Sequence, residues 1–424
     1  DIIGLQLATL DFRSGTPSTV PSNCCQRNSM HPIARIQLQH SVNGHKLLAS
    51  SRQGPSQFVC RALEPRMQQQ AVISAKATGT FLGVPDMPLL GLGLAALGRP
   101  GYINLGHGND LAGKSVDEMR GNTAEVLSAA LGLGIRYFDA ARSYGCAEEF
   151  LGSWLGSLAP EQLSRAVVGS KWGYYYTADW QVDTGGKPHE VKEHTAANLR
   201  KQAAETSSHL GAHLALYQIH SATVESGVLD AADVVSELET LKRQKGWKMG
   251  LSLSGHLQSP GALRRYVCSE AMKSGGARRG SVRPSIRPSV HPSVRLCVNS
   301  NTWRGALAEA AAAGMSVIVK EALANGRLTL RNTNSAFAPK LALLQRTADK
   351  YGTTVDALSL AAVIVQPFRP MVLSGAATVE QLVSNAAALE LAGRLEASDV
   401  AELVAELAES PEQYWAERSA LAWN

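Results

Sequence analysis

The sequence is poor in cysteine, and its cysteines do not form a metal-binding or redox pattern. Six cysteines are spread over 424 residues, and no two of them make a C-x-x-C pair. Zinc sites and dithiol redox centres commonly use such pairs, so neither class of site is indicated and no metal is expected. Few, irregularly spaced cysteines are typical of a reduced, intracellular protein.

Long apolar runs are also missing. No run reaches the roughly 18 to 20 residues needed to span a bilayer, although 45% of the residues are hydrophobic. That fraction is enough for a sizeable core. We therefore expect a soluble protein with no membrane partner.

Acidic residues are nearly absent from two segments, and this absence accounts for the formal net charge of +5. Glu64 is the one acid between Phe12 and Pro85, and none lies between Ala271 and Ala308. The rest of the chain is net acidic. Because the positive balance belongs to two peripheral segments, the sequence does not favour a nucleic-acid partner.

Residues 1–85 lack any sustained helical or strand periodicity and are rich in Ser, Gln and Arg. This composition is typical of a transit peptide for the chloroplast or another organelle, with a removable segment ending near Val59 to Ala62. An ordinary disordered tail is the alternative, and the protein would then be cytoplasmic. We expect a disordered N-terminal extension in either case.

From residue 86 to 424, short apolar segments alternate with longer amphipathic ones. The predicted strands are Leu89 to Leu94, Ile135 to Asp139, Ala166 to Lys171, Leu214 to His220, Lys248 to Leu253, Ser316 to Lys320 and Pro370 to Gly375. The predicted helices are Ser115 to Leu133, Val191 to Leu210, Ala231 to Lys245 and Val379 to Leu391. Repeated alternation predicts a parallel α/β sheet. Since no G-x-G-x-x-G follows a strand, an eight-stranded (β/α)8 TIM barrel fits better than a doubly wound sheet.

One strand of that barrel is missing from the pattern. Residues 274–296 form a basic, low-complexity insertion with a four-residue repeat, SVRP, SIRP, SVHP, SVRL. Proline at every fourth position argues against both a helix and a central strand. The repeat is therefore predicted to be a loop that disrupts the sixth strand, for which Val294 to Asn299 is a poor candidate.

Three successive predicted strands end in polar residues that suit acid–base chemistry. Asp139 ends one strand and Tyr144 follows in the loop, while Lys171 and His220 end the next two. Each also fits a structural role, for example Asp139 as the cap of the following helix. Because barrels of this kind place their chemistry at the carboxyl ends of the strands, we expect the four side chains to converge.

Together these residues could protonate an oxygen on which negative charge develops. A tyrosine has an ordinary pKa of about 10 and needs a positive neighbour, here Lys171, to stabilise its phenolate. Asp139 can keep Lys171 charged, and His220 can orient a substrate oxygen. This is the task in reducing a carbonyl, and because no side chain delivers hydride, a cofactor must.

Four motifs in order resemble those of the aldo-keto reductase superfamily: YFDAARSYGCAEEFLG, VGSKWGY, LYQIH and VLSGAATVEQLVSNAAAL. The resemblance runs from about Pro88 to the last residues, except at the repeat. It implies a (β/α)8 barrel, a nicotinamide cofactor, usually NADPH, and a catalytic tetrad of Asp139, Tyr144, Lys171 and His220.

The resemblance also implies a set of cofactor-binding residues. The loop after the seventh strand corresponds to a pyrophosphate segment, and the segment after the eighth to an adenine and ribose-phosphate site. The implied residues are Ser252, Lys320, Glu321, Leu323, Gly326, Gly375, Gln381 and Asn385. No Lys or Arg lies in residues 376–380, where a basic residue often meets the 2′-phosphate, so NADH stays open beside NADPH.

Two functions follow from these expectations. The first is an NAD(P)H-dependent oxidoreductase that interconverts an aldehyde, ketone or sugar and an alcohol, with tyrosine as general acid. The alternative is a catalytically slow, cofactor-binding regulatory or scaffold protein on the same barrel. The aromatic segment Trp172 to Trp180 could line an apolar pocket, stack on a sugar or simply pack.

Overall fold

The computed structural model describes residues 73–253, 289–291 and 301–424, and none of the helices in these ranges is long and apolar enough to cross a membrane. The strands are β1 (Thr78–Phe81), β2 (Val84–Pro88), β3 (Leu90–Gly93), β4 (Tyr137–Asp139), β5 (Val167–Trp172), β6 (Tyr174–Tyr176), β7 (Glu190–Lys192), β8 (Leu214–Ile219), β9 (Lys248–Ser252), β10 (Ser289–His291), β11 (Ser316–Val319) and β12 (Met371–Ser374). The α-helices are α1 (Val116–Gly132), α2 (Ala147–Ser157), α3 (Pro160–Leu163), α4 (Ala196–Leu210), α5 (Ala232–Lys245), α6 (Asn301–Ala312), α7 (Ala338–Tyr351), α8 (Val355–Ile364), α9 (Val379–Ala386), α10 (Ala388–Arg394), α11 (Ala397–Glu406) and α12 (Pro411–Ser419).

Eight parallel strands close into a barrel in the spatial order β3, β4, β5, β8, β9, β10, β11, β12, with β12 pairing back to β3. In β4 and β5, Asp139 lies opposite Gly169. Every residue of β5 is buried, because helices cover the outer face of a parallel sheet. The α/β barrel predicted from the sequence is confirmed, and the seven predicted strands are all present.

Helix boundaries follow the local capping chemistry. Helix α1 begins where Ser115 and Glu118 exchange the two bonds of a capping box. Helix α4 begins at Ala196, because the Thr195 hydroxyl accepts a bond from the Asn198 amide at 3.1 Å. The predicted start of this helix at Val191 is therefore five residues too early. Val191 instead lies in β7, which pairs with β6 as an antiparallel hairpin. The helix predicted over Val379 to Leu391 divides into α9 and α10.

The sixth barrel strand lies inside the proline repeat. Strand β10 pairs in parallel with β9 on one side and β11 on the other, and Val290 lies opposite Leu251 and Val317. The prediction that the repeat contains no central strand is wrong at these residues.

The physical reason lies in the spacing of the prolines. Pro288 and Pro292 flank β10, so each residue of the strand keeps its amide hydrogen and can bond to a neighbour. The rest of the 274–296 insertion, and the other candidate strand at 294–299, lie outside the described residues.

Strands β1 and β2 form an antiparallel hairpin that packs into the amino-terminal end of the barrel. Its buried side chains Phe81, Leu82 and Met87 share an apolar cluster with Tyr137 and Met371, each the first residue of a barrel strand. The folded region therefore begins ahead of the boundary predicted at residue 86. Such short strands carry too little periodicity to be recognised in the sequence. Residues 1–72, most of the predicted extension, lie outside the described part of the chain.

Candidate active site

A buried ion pair joins the ends of two neighbouring barrel strands. Asp139 ends β4 and Lys171 is the penultimate residue of β5, and their side chains are 2% and 1% exposed. The Lys171 ammonium pairs with Asp139 Oδ2 and donates to the Ala140 carbonyl at 2.9 Å. Asp139 Oδ1 accepts from the Tyr137 hydroxyl at 3.0 Å. Paired and hydrogen-bonded in this way, the two charges hold each other in place.

Gly169 provides the space for this network. A Cβ at this position would lie 2.3 Å from the Tyr137 hydroxyl oxygen and 3.3 Å from Asp139 Oδ1. Any larger residue at position 169 would displace the Tyr137 hydroxyl, which orients the Asp139 carboxylate. The glycine two residues before Lys171 is therefore a positional requirement of the site.

Tyr144 and His220 complete the predicted group. The Tyr144 hydroxyl is 3.4 Å from Lys171 Nζ, and its ring packs edge-on against His220 with centroids 5.5 Å apart. His220 follows β8, and its Nδ1 lies 3.4 Å from Ser143 Oγ. The structure thus brings the four predicted residues together. Three of them line a cavity of about 1080 Å³, and Lys171 lies behind them.

The Tyr144 phenol holds its proton. Burial raises the pKa of Tyr144 well above its ordinary value, and the charges of Asp139 and Glu190 raise it further, while Arg99 acts in the opposite sense. Asp139 balances the charge of Lys171 while the phenol is protonated, and Lys171 lies beside the hydroxyl, where it can stabilise the phenolate once the proton has left. At neutral pH Tyr144 is therefore in the form that can donate a proton.

Arg99 is a candidate residue that the sequence analysis missed. It is 2% exposed and pairs with Glu190, which lines the cavity. Its guanidinium carbon lies near three aromatic ring centroids, Tyr102 at 5.1 Å, Tyr144 at 5.1 Å and Trp423 at 4.7 Å. No sequence signal could have found it, because Arg99 lies beyond the end of β3 and all of these partners except Tyr102 come from distant parts of the chain.

The hairpin of β6 and β7 forms one wall of the cavity. Of the aromatic segment 172–180, Tyr174 lines the cavity, whereas Trp172 is fully buried in the core and the Trp180 indole donates to the Lys114 carbonyl at 2.6 Å. His194 supports His220, since its Nε2 lies 2.9 Å from the His220 carbonyl oxygen. Burial lowers the pKa of His194 to about 4, so its ring stays neutral.

The loop after β11 carries four of the predicted cofactor residues. Lys320, Glu321, Leu323 and Gly326 all line the cavity. Ser252, which was also predicted to bind the cofactor, is fully buried and does not line the cavity; its Oγ accepts a bond at 3.2 Å from the Lys320 ammonium, which does. Glu321 accepts bonds from Tyr414 and Arg418 of α12.

The segment after β12 carries the other three. Gly375, Gln381 and Asn385 line the same cavity. Asn385 donates to Ser374 Oγ at 2.8 Å, and Gln381 Oε1 accepts from the Ala377 amide at 2.9 Å. The first bond holds the last turn of α9 against the end of β12, and the second ties its first turn to the segment that precedes it.

These residues fit a dinucleotide in two respects. The loop after β11 places Glu321, Ala324, Asn325 and Gly326 at positive φ, and such turns present backbone amides to an anion. Asn325 is 4% exposed and lines the cavity, and its Oδ1 has no hydrogen-bond partner among the described residues. A bound ligand could satisfy such an atom. In the same described ranges, no three His, Cys, Asp or Glu side chains cluster as metal ligands.

Comparison with known proteins agrees with the fold. A solved Pseudomonas aeruginosa structure assigned to the aldo-keto reductases is 20% identical, with a TM-score of 0.50 over 78% of this chain and 99% of its own. A second from that organism is 23% identical, with a TM-score of 0.48 over 73% and 92%. A search of curated proteins finds no match. The profile of the Aldo/keto reductase family matches residues 90–407, so this chain belongs to the aldo/keto reductase family.

Proposed function

We propose that this chain is an NADPH-dependent oxidoreductase that reduces a small carbonyl compound, an aldehyde, ketone or sugar, to an alcohol. The observation that carries the proposal is the position of the Tyr144 hydroxyl. Tyr144 lines the cavity as a protonated phenol, and its hydroxyl lies 3.4 Å from the Lys171 ammonium. A proton donor and a charge that stabilises its conjugate base are thus adjacent.

The reduction divides between cofactor and protein. The reduced nicotinamide, when bound, supplies a hydride to the carbonyl carbon. Tyr144 gives its proton to the carbonyl oxygen, which becomes the alcohol, and keeps the electron pair as a phenolate. Lys171 stabilises the phenolate, and its ion pair with Asp139 fixes the position of its buried side chain. His220 donates a hydrogen bond that orients the carbonyl oxygen toward Tyr144.

The cofactor would be held between the loops after β11 and β12. Lys320, Glu321, Leu323 and Gly326 would contact it from one side, and Gly375, Gln381 and Asn385 from the other. The preference for NADPH rests on the family alone, because residues 376–380 carry no cation. Titration of both reduced cofactors by fluorescence measures the preference directly.

Turnover of aldehydes, ketones and aldoses with each cofactor tests the proposed reaction. In Tyr144→Phe we expect turnover to fall by a factor on the order of 100 or more, with cofactor affinity nearly unchanged, because the variant loses the proton donor. Tyr175→Phe, in strand β6 and not lining the cavity, serves as the control. Equal rates in Tyr144→Phe and the parent would rule out Tyr144 as the acid. Cofactor binding without oxidation by any carbonyl would favour the scaffold alternative.

A further inference from the structure

The buried guanidinium of Arg99 is held from several sides. Its Nε donates to the Ala95 carbonyl at 3.3 Å, and its Nη1 donates to the Ser143 carbonyl at 3.0 Å. It also forms an ion pair with Glu190 of β7. Because Ser143 immediately precedes Tyr144, one of these bonds ties the arginine to the backbone that carries the phenol.

The same guanidinium lies against the Tyr144 ring. Its central carbon is 5.1 Å from the ring centroid, within the range of a cation–π contact. At 2% exposure, water screens this charge poorly, so its effect on the ring is larger than that of a surface arginine. Lys171 approaches the hydroxyl of the same side chain at 3.4 Å.

We propose that Arg99 is a positioning residue for Tyr144, a fixed second cation that stabilises the phenolate left when Tyr144 gives up its proton, and that Glu190 attenuates this effect. The inference rests on the proposed function for the role of Tyr144 as the acid. It assigns the Arg99–Glu190 pair to the chemistry of the site, beyond the tetrad.

Several charged or titratable groups face Tyr144. They are Asp139 of β4, Lys171 of β5, His220 after β8, Arg99 and Tyr102 after β3, Glu190 of β7, Glu321 after β11, and the Tyr137 phenol of β4. Asp139 and Lys171 pair with each other and Glu321 pairs with Arg418. Arg99 and Glu190 act on Tyr144 with opposite sign, so removing either charge should move the ionisation of the phenol in a known direction.

The test measures that ionisation without substrate or cofactor. The full chain is prepared with 3,5-difluorotyrosine in place of Tyr144, because fluorination lowers the pKa of the phenol and supplies a nucleus for NMR. Its pKa is followed by fluorine NMR in the parent background, in Arg99→Gln, in Arg99→Lys and in Glu190→Gln. Arg327→Gln is the matched control, since Arg327 also pairs with a glutamate and lies over an aromatic ring, that of Phe337.

We expect Arg99→Gln to raise the pKa of the phenol by about one unit and Glu190→Gln to lower it by a similar amount. Arg99→Lys should recover part of the difference, and Arg327→Gln should leave the pKa unchanged. If Arg99→Gln does not fold, Glu190→Gln still decides the question, because a purely structural pair would not lower the pKa. An unchanged or raised pKa in Glu190→Gln would overturn the inference.

Failure of the proposed function would look different. A protein that turns over no carbonyl but shows opposite pKa shifts in Arg99→Gln and Glu190→Gln would refute the proposed reaction while supporting the electrostatic role of the pair. A protein that reduces carbonyls but shows no such pKa shifts would support the proposed reaction and refute the electrostatic role of the pair.

Discussion

At the residue scale, Lys171 and Asp139 place opposite charges where water hardly reaches them. Desolvation makes each charge costly alone, and their mutual attraction offsets that cost only while both are present. The carboxylate also accepts bonds from Tyr137 and Gln218, so its position is set by three elements of the barrel. Stability and chemistry therefore depend on the same pair.

Replacing Lys171 by Met should lower the free energy of unfolding by about 3 to 5 kcal/mol, because Asp139 then remains buried without its counter-charge. Urea denaturation followed by circular dichroism measures the loss. The exposed Lys187→Met is the control and should change stability by less than about 0.5 kcal/mol. Adding Asp139→Asn to Lys171→Met should restore part of the loss, and no restoration would show that the charge is not its cause.

Lys320 should make cofactor affinity depend on pH. Burial lowers the pKa of Lys320 to about 8, so the ammonium is charged below that pH and neutral above it. A neutral amine no longer attracts phosphate, so the dissociation constant for NADPH should rise as pH increases above about 8, by roughly tenfold for a lost charged hydrogen bond of ~1.4 kcal/mol. In Lys320→Met the dissociation constant for NADPH should be larger at pH 7 and should not change as the pH rises above about 8. A rise of equal size in the variant would assign the dependence to another group.

At the element scale, the hairpin of β1 and β2 supports the site from the opposite end of the barrel. The Phe81 ring packs edge-on against Tyr137 with centroids 4.8 Å apart, and Tyr137 in turn donates to Asp139. A chain of contacts thus runs from the barrel floor to the candidate catalytic carboxylate. The hairpin is part of the folded protein, and we expect that removing it would disturb the position of Asp139 through Tyr137.

Phe81→Ala should destabilise the protein by about 3 to 5 kcal/mol, because it leaves a cavity beneath the Tyr137 ring. Thermal or urea unfolding measures this effect. The neighbouring Thr80 is exposed, so Thr80→Ala should change stability by less than about 0.5 kcal/mol. A small loss in Phe81→Ala would mean that the hairpin contributes little to the fold.

At the scale of the whole molecule, closure of the barrel depends on three residues of β10. They pair with β9 and β11 and so complete the ring. A barrel without this strand would leave the edges of its two neighbours unpaired. The architecture therefore depends on β10, a strand that the sequence pattern of the repeat does not predict.

Val290→Pro should destabilise the protein by about 3 kcal/mol, because it removes a backbone donor from a strand paired on both sides. Val290→Thr keeps the donor and is the control. Hydrogen exchange supplies a second measurement: the amides of Val290 and His291 should exchange slowly in the parent. Fast exchange at both positions would contradict pairing of β10 in solution.

The sequence by itself determined the barrel and the convergence of the candidate tetrad. Apolar strands alternating with amphipathic helices predict a parallel α/β sheet, and the missing G-x-G-x-x-G favours a barrel over a doubly wound sheet. The carboxyl ends of parallel barrel strands meet at one rim. Asp139, Lys171 and His220 stand at such ends, and Tyr144 follows one within a short loop, so local spacing was enough to place them.

Only the tertiary structure decided which other groups act on Tyr144 and where the barrel closes. Arg99, Glu190 and Trp423 are far apart in sequence and lie outside the barrel strands, in parts of the chain whose paths no local periodicity determines. Strand β10 and the hairpin of β1 and β2 are short. Pairing with neighbouring strands or packing against the core therefore outweighs the secondary-structure propensities of their residues. Contacts that depend on long-range packing can be assigned only once the chain has folded around them.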